Sequence, residues 1–222
     1  MQSSMLIVRV WIALAFALGA HAGLVVDAVA GDEKRIERRI NEGSFSRIEV
    51  SGVYDIAVNH GADHSVVLSG REKSIAHARV SIRNDTLFLG HQKGRHFRNK
   101  KSVDATITLP HLREIIVSGV VEGSVRGVDT DDFAIRVSGV GDLHVDGRCT
   151  QLRADLSGVG DLDARELKCD AVKITVSGVG DARVYAKKEL DAHVSGIGDL
   201  TCFGSPARVR KNKSFFSSIN VH

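Results

Sequence analysis

Ser138-Gly139-Val140-Gly141-Asp142, Ser157-Gly158-Val159-Gly160-Asp161, Ser177-Gly178-Val179-Gly180-Asp181 and Ser195-Gly196-Ile197-Gly198-Asp199 are near-identical pentapeptides in one chain of 222 residues. A degenerate copy, Ser118-Gly119-Val120-Val121-Glu122, precedes them, and another, Ser51-Gly52-Val53-Tyr54-Asp55, lies far upstream. From Ser118 to Ser195 the copies are spaced 20, 19, 20 and 18 residues apart, the signature of a stacked repeat. Counting back one, three and five residues from each serine gives Val137, Ile135, Phe133; Leu156, Ala154, Leu152; Val176, Ile174, Val172; and Val194, Ala192, Leu190. The residues between are mostly polar, so the period is two, that of a strand with one buried face. After each pentapeptide a second short alternation follows, as in Leu143-His144-Val145 and Leu162-Asp163-Ala164. Each repeat therefore reads as strand, glycine corner, strand and a polar connection too short for a crossover helix.

Strand-only coils of this length stack on one another, which predicts an all-β fold: a single-stranded parallel β-helix. Its core is a set of aliphatic ladders, consistent with an aromatic content of only 5%. The corner glycines, Gly139, Gly141, Gly158, Gly160, Gly178, Gly180, Gly196 and Gly198, are expected where the chain needs a positive φ or a close approach of backbones. The first half reads as the same fold with less regular coils. Its strands are Arg47–Val50, Ser65–Leu68, Thr86–Leu89 and Ala105–Leu109, with turns at Gly61, Gly70, Asn84-Asp85 and Pro110. At the coil length of the repeats, residues 45–222 make about nine coils, with the regular ones over 118–204. Residues 23–44 read as a charged leader or N-terminal cap.

Residues 1–22 carry one charge, Arg9, and an apolar run from Val10 to Leu18, ending in Ala20-His21-Ala22. The run is shorter than a bilayer span, and the small-x-small ending fits a secretory cleavage site. The expected address is outside the cytoplasm: periplasm, outer-membrane surface or medium. A formal net charge of +3 gives no sign of a nucleic-acid binder.

Phe45-Ser46-Arg47-Ile48-Glu49-Val50-Ser51-Gly52, Asn84-Asp85-Thr86-Leu87, Ile107-Thr108-Leu109-Pro110-His111-Leu112, the Ser-Gly-x-Gly-Asp coils and Phe203-Gly204-Ser205-Pro206 together resemble the putative auto-transporter adhesin, head GIN domain family, over roughly Ser44 to Gly204. The resemblance implies a right-handed parallel β-helix exported to the bacterial envelope, and it carries no catalytic residues. Ser217-Ser218-Ile219 stands where a further glycine corner is expected. No long C-terminal barrel follows, so self-export is not expected.

Asp142, Asp161, Asp181 and Asp199 recur at one place in consecutive coils. Stacked like charges repel unless solvated or bridged, and calcium is the obvious bridge. One acid per turn falls short of the six to eight oxygens calcium takes, so a backbone cap on each aspartate's own glycine corner is the preferred reading and no cofactor is expected. Cys149 and Cys169 each lie eight residues before the next Ser-Gly corner and should stack as neighbours, within reach of a disulfide. Cys202 falls on the inward phase. His60 and His64 flank a turn and have no evident third ligand.

Charge is segregated. Residues 71–101 hold nine Lys or Arg against two acids, residues 138–200 hold eight against eleven, and the last 18 residues add four with no acid. The cluster Lys93, Arg95, Arg98, Lys100 and Lys101 is a candidate grip for anionic lipid or polysaccharide headgroups. The functional expectation is a non-catalytic, adhesin-like envelope module that binds surface glycans, lipid headgroups or a protein. The alternatives are a polysaccharide-acting enzyme on the same scaffold, or an element that assembles into homo-oligomers through its terminal coils. An enzyme is disfavoured because the aspartate recurs in every regular coil, and because Tyr54 and Tyr185 are the only tyrosines for stacking a sugar.

Overall fold

The alternation read from the repeats is strand throughout, and the polar connections are strand as well. In chain order the elements are β1 (Arg35–Ile40), β2 (Arg47–Val50), β3 (Val53–His60), β4 (Ser65–Arg71), α1 (Glu72–His77), β5 (Ala78–Arg83), β6 (Thr86–His91), β7 (Val103–Leu109), β8 (Glu114–Val117), β9 (Val120–Val137), β10 (Val140–Leu156), β11 (Leu162–Val176), β12 (Ala182–Val194), β13 (Gly198–Phe203), β14 (Arg208–Lys213) and β15 (Ser217–Val221). The computed structural model describes residues 34–40, 43–92 and 102–222, all within one unit, Glu33–His222. The leader read over 1–22 and most of the segment 23–44 lie outside the described residues. No described helix is long and apolar enough to cross a membrane.

The long strands β9 to β12 each bend midway. Their first arms stack in the parallel order β3-β9-β10-β11-β12-β13-β15, and their second arms stack as β8-β9-β10-β11-β12-β14. The result is a β-solenoid of about five turns, fewer than the nine coils expected. The difference lies in the first half of the chain. There β1 pairs antiparallel with β4, β4 pairs antiparallel with β7, and α1 leads into the β5–β6 hairpin. Asn84 and Asp85 close that hairpin at φ 49° and 62°, the left-handed pair a two-residue turn requires.

The early copy of the motif is nevertheless part of the stack. β3 sits between β7 and β9, so the Ser51 corner lies directly beneath the Ser118 corner although β4 to β8 intervene in sequence. The Ser118 and Val120 amides donate to the Val50 and Gly52 carbonyls at 2.9 and 2.8 Å.

Inside, equivalent residues lie over one another in register. Phe133, Leu152, Val172 and Leu190 form one buried ladder. Ile135, Ala154, Ile174 and Ala192 form another that alternates large and small, as close packing favours. Burying each such aliphatic side chain contributes on the order of 1.5–3 kcal/mol.

Both glycines of the motif are needed for space, and the second also for its backbone. Gly160, Gly180 and Gly198 have φ of 135°, 142° and 139°, backbone that only glycine adopts cheaply. A Cβ at any of these three would also stand 2.0–2.2 Å from a carbonyl oxygen of the coil beneath, while Gly139, Gly158, Gly178 and Gly196 are needed for space alone, at 1.9–2.1 Å.

Candidate functional site: a groove along the bends

Opposite the glycine corners, the bends of successive strands gather into an open groove of about 830 Å³. Its residues come one bend at a time. His111 and Arg113 come from the link between β7 and β8, Asp129–Asp131 from β9, Arg148–Thr150 from β10, Lys168–Asp170 from β11, and Tyr185 and Lys187 from β12. The local cause of the bend is visible at Gly147. Its φ is 126° and a Cβ there would lie 2.2 Å from the Val128 carbonyl oxygen. The Gly127 amide, also at positive φ, donates to Asp146 Oδ1 at 2.7 Å.

Acids and bases of adjacent coils are interleaved across the groove. Arg148 holds Asp129 through two bonds, Nε to Oδ1 at 2.9 Å and Nη2 to Oδ2 at 2.6 Å. Thr150 donates to Asp131 at 3.1 Å, and Lys188 reaches Asp170 at 2.7 Å. Lys168 places its ammonium 4.2 Å from the centre of the Tyr185 ring, a cation–π contact. Hydrogen bonds from Arg148, Lys188, Arg208 and Arg165 hold Asp129, Asp170, Glu189 and Asp163, respectively, below the usual carboxylate range. Among the described residues, every carboxylate with a displaced pKa is displaced downward. General-acid chemistry needs the opposite displacement. Arg113 and Lys187 are exposed and make no ion pair among the described residues.

Cys149 and Cys169 line this groove and are bonded to each other, in register on β10 and β11, with Cα atoms 4.6 Å apart. Cys202 is a buried free thiol, pushed up in pKa by burial. Of the two tyrosines, Tyr185 faces the groove, whereas Tyr54 is buried with its hydroxyl donated to Gly90 O at 2.7 Å. Burial raises the Tyr54 pKa to about 12.

The aspartate ladder does not cap its own corners. Asp142, Asp161 and Asp181 each accept, through Oδ1, the backbone N–H of the aspartate one coil further on, at 2.9, 2.8 and 2.9 Å. Asp199 takes the Ser218 hydroxyl at 2.6 Å. The stacking register places each carboxylate over the next coil's amide, so the cap links coils. No group of three or more His, Cys, Asp or Glu is arranged to hold a metal among the described residues. His64 sits against the Phe45 ring and carbonyl, away from any such group. The basic cluster Lys93, Arg95, Arg98, Lys100 and Lys101 lies outside the described residues.

Two features of this surface escape a reading by period alone. The groove residues sit in what reads as polar connection. They converge only once the coils stack, although the acid-to-base alternation at Asp129 and Arg148 follows the repeat spacing. The final corner is the other. Gly198 pairs with Ser217 and Asp199 with Ser218, so the last copy of the motif is Ser214-Phe215-Phe216-Ser217-Ser218 rather than a sequence beginning at Ser217. Its spacing from Ser195 was the available signal.

Along its bends the solenoid therefore carries an open polar groove whose acids and bases pair between successive coils. The chain belongs to the family described as "Putative auto-transporter adhesin, head GIN domain", whose model matches residues 44–206. Among solved structures, a putative adhesin from Bacteroides fragilis is 26% identical with a TM-score of 0.72, covering 86% of this chain and 98% of that one. A putative adhesin from Parabacteroides distasonis (19% identity, TM-score 0.55) and a putative lipid binding protein from the same species (17%, 0.53) each cover 86% of this chain and 98% of their own, and show the fold alone. No curated protein matches the sequence.

Proposed function

We propose that this protein is a non-catalytic, adhesin-like module that works outside the cytoplasm and holds a surface polysaccharide in the bend groove. The observation that carries the reading is the groove's lining. Fixed ion pairs, the hydroxyls of Thr130, Thr150 and Tyr185, and the free cations Arg113 and Lys187 offer donors and acceptors along an open channel. An extended, hydroxyl-rich chain satisfies such a surface at many points without being enclosed. The disulfide beneath it supports an oxidising compartment, as does the leader read over 1–22, with residues 45–222 as the working domain.

The test is titration of the mature protein with purified envelope polysaccharides, beside an Arg113→Gln/Tyr185→Ala/Lys187→Gln variant. All three side chains reach solvent, so the fold should be retained, which a thermal melt checks. Binding weakened at least about tenfold (about 1.4 kcal/mol) supports the groove. Equal binding by the variant moves the ligand elsewhere, and release of reducing ends would replace a binding module by an enzyme.

A further inference from the structure

The third position of each corner points outward. Val120, Val140, Val159, Val179 and Ile197 are stacked in register and all exposed, at 48–57%. At the C-terminal end the row reaches Phe216, 73% exposed, beside Phe215, 92% exposed, and the two rings meet edge to face at 5.4 Å. The final corner changes the motif in two coupled ways. A glycine and an aliphatic residue become Phe215 and Phe216, while the ladder aspartate becomes Ser218. Apolar surface is thus added at the corner from which the acid is withdrawn.

The strand that leads into this tip is basic. β14 is exposed along its whole length and carries Arg208, Arg210, Lys211 and Lys213, and no acid follows Asp199. Arg208 is paired with Glu189, and Lys211 and Lys213 reach the Ile219 and Ser217 carbonyls at 3.4 and 3.2 Å, so their charges stay at this end of the solenoid.

We infer that the C-terminal corner docks on an anionic phospholipid surface, with Phe215 and Phe216 entering the interface and the positive charge of β14 drawing this end to the headgroups. Two adjacent rings on a projecting turn need a receptor that yields around them, which a fluid bilayer interface supplies. Cations beside them add attraction that falls with salt. A symmetric second copy fits less well, because it would bring the cations of β14 against their own counterparts. The site is separate from the bend groove, so failure of one reading leaves the other standing.

The experiment is co-sedimentation of the mature protein with phosphatidylcholine–phosphatidylglycerol vesicles and with pure phosphatidylcholine vesicles, at low and high salt. The expected result is salt-sensitive binding to the anionic vesicles only. It should be weakened at least about tenfold in Phe215→Ser/Phe216→Ser and reduced in Arg210→Glu, with unchanged melting temperatures. Absence of binding to anionic vesicles overturns the inference. So does wild-type-like binding by the phenylalanine variant, which would place the lipid contact at the Lys93–Lys101 cluster instead. Self-association of the wild type that the phenylalanine variant abolishes, without vesicle binding, assigns the corner to a second copy and also overturns it.

Discussion

Replacing Gly158 by alanine tests the stacking geometry at its tightest point. The backbone of Gly158 is not in the left-handed region, so the expected damage is steric. An alanine Cβ would lie 1.9 Å from Gly139 O, with Gly139 C and Ser138 C both at 2.9 Å. Ordinary van der Waals contact begins near 3.4 Å, so the two coils must part locally by about 1.5 Å. Three backbone bonds cross that gap. Ser157 and Gly158 donate to Val137 O at 2.8 and 3.1 Å, and Val159 donates to Gly139 O at 3.0 Å. At a net ~1 kcal/mol for each bond lost, the cost is about 3 kcal/mol, which outweighs the gain of at most ~1 kcal/mol that alanine brings by restricting the unfolded chain. The assay is urea unfolding followed by circular dichroism, with m-values compared because solenoids can lose cooperativity turn by turn. Ser157→Ala is the matched control in the same corner, giving up only an Oγ bond to Val137 O at 3.4 Å, with an expected cost below about 0.5 kcal/mol. If Gly158→Ala unfolds within about 0.5 kcal/mol of that control, the coils are not locked by backbone contact and the argument fails.

The Cys149–Cys169 bridge closes a separation of 20 residues, so chain entropy gives it about 3 kcal/mol. The Cys149→Ala/Cys169→Ala variant should show that loss in urea, and should also make the protein insensitive to reductant; an unchanged midpoint would mean that stacking alone fixes these strands. Acid should destabilise the fold through the paired carboxylates. Arg165 holds the folded pKa of Asp163 below its unfolded value, so the stabilisation is fully present above about pH 4 and is lost as pH falls through the folded pKa. Asp163→Asn should flatten part of that acid slope in pH-dependent melts, and an identical slope in the variant would assign the effect elsewhere.

Most of the solenoid was legible because stacking forces a constant period on the chain, and the inward rows at Phe133, Ile135 and Val137 and their successors register that period directly. The Ser51 coil was legible as a motif but not as a neighbour. The contact from Ser118 to Val50 spans 68 positions, and the antiparallel strands between them carry no period to count. The aspartates illustrate a finer limit. Position in the repeat shows that a carboxylate lies near a corner amide, while the choice between its own corner and the next depends on register. At the groove, Asp129, Arg148 and Lys168 belong to different coils and become one surface only through stacking.

The two ends of the solenoid explain why its function is better sought along its flanks. Toward the N-terminal end, β1 and β4 run antiparallel beyond β7, while β5 covers β6 and α1 joins the two caps. At the other end the inward row of β12, Leu190, Ala192 and Val194, is continued on β14 by Val209, Lys211 and Lys213. Two of the three core positions are thus filled by lysines whose ammonium groups fold back onto β15 carbonyls. A further coil stacking there would have to bury those charges, which costs several kcal/mol each. Inward-facing charge is a recognised way of stopping a sheet from growing. That arrangement weighs against an assembly element propagating through its terminal coils. What it leaves accessible is the bend groove, the outward aliphatic row and the Phe215–Phe216 turn.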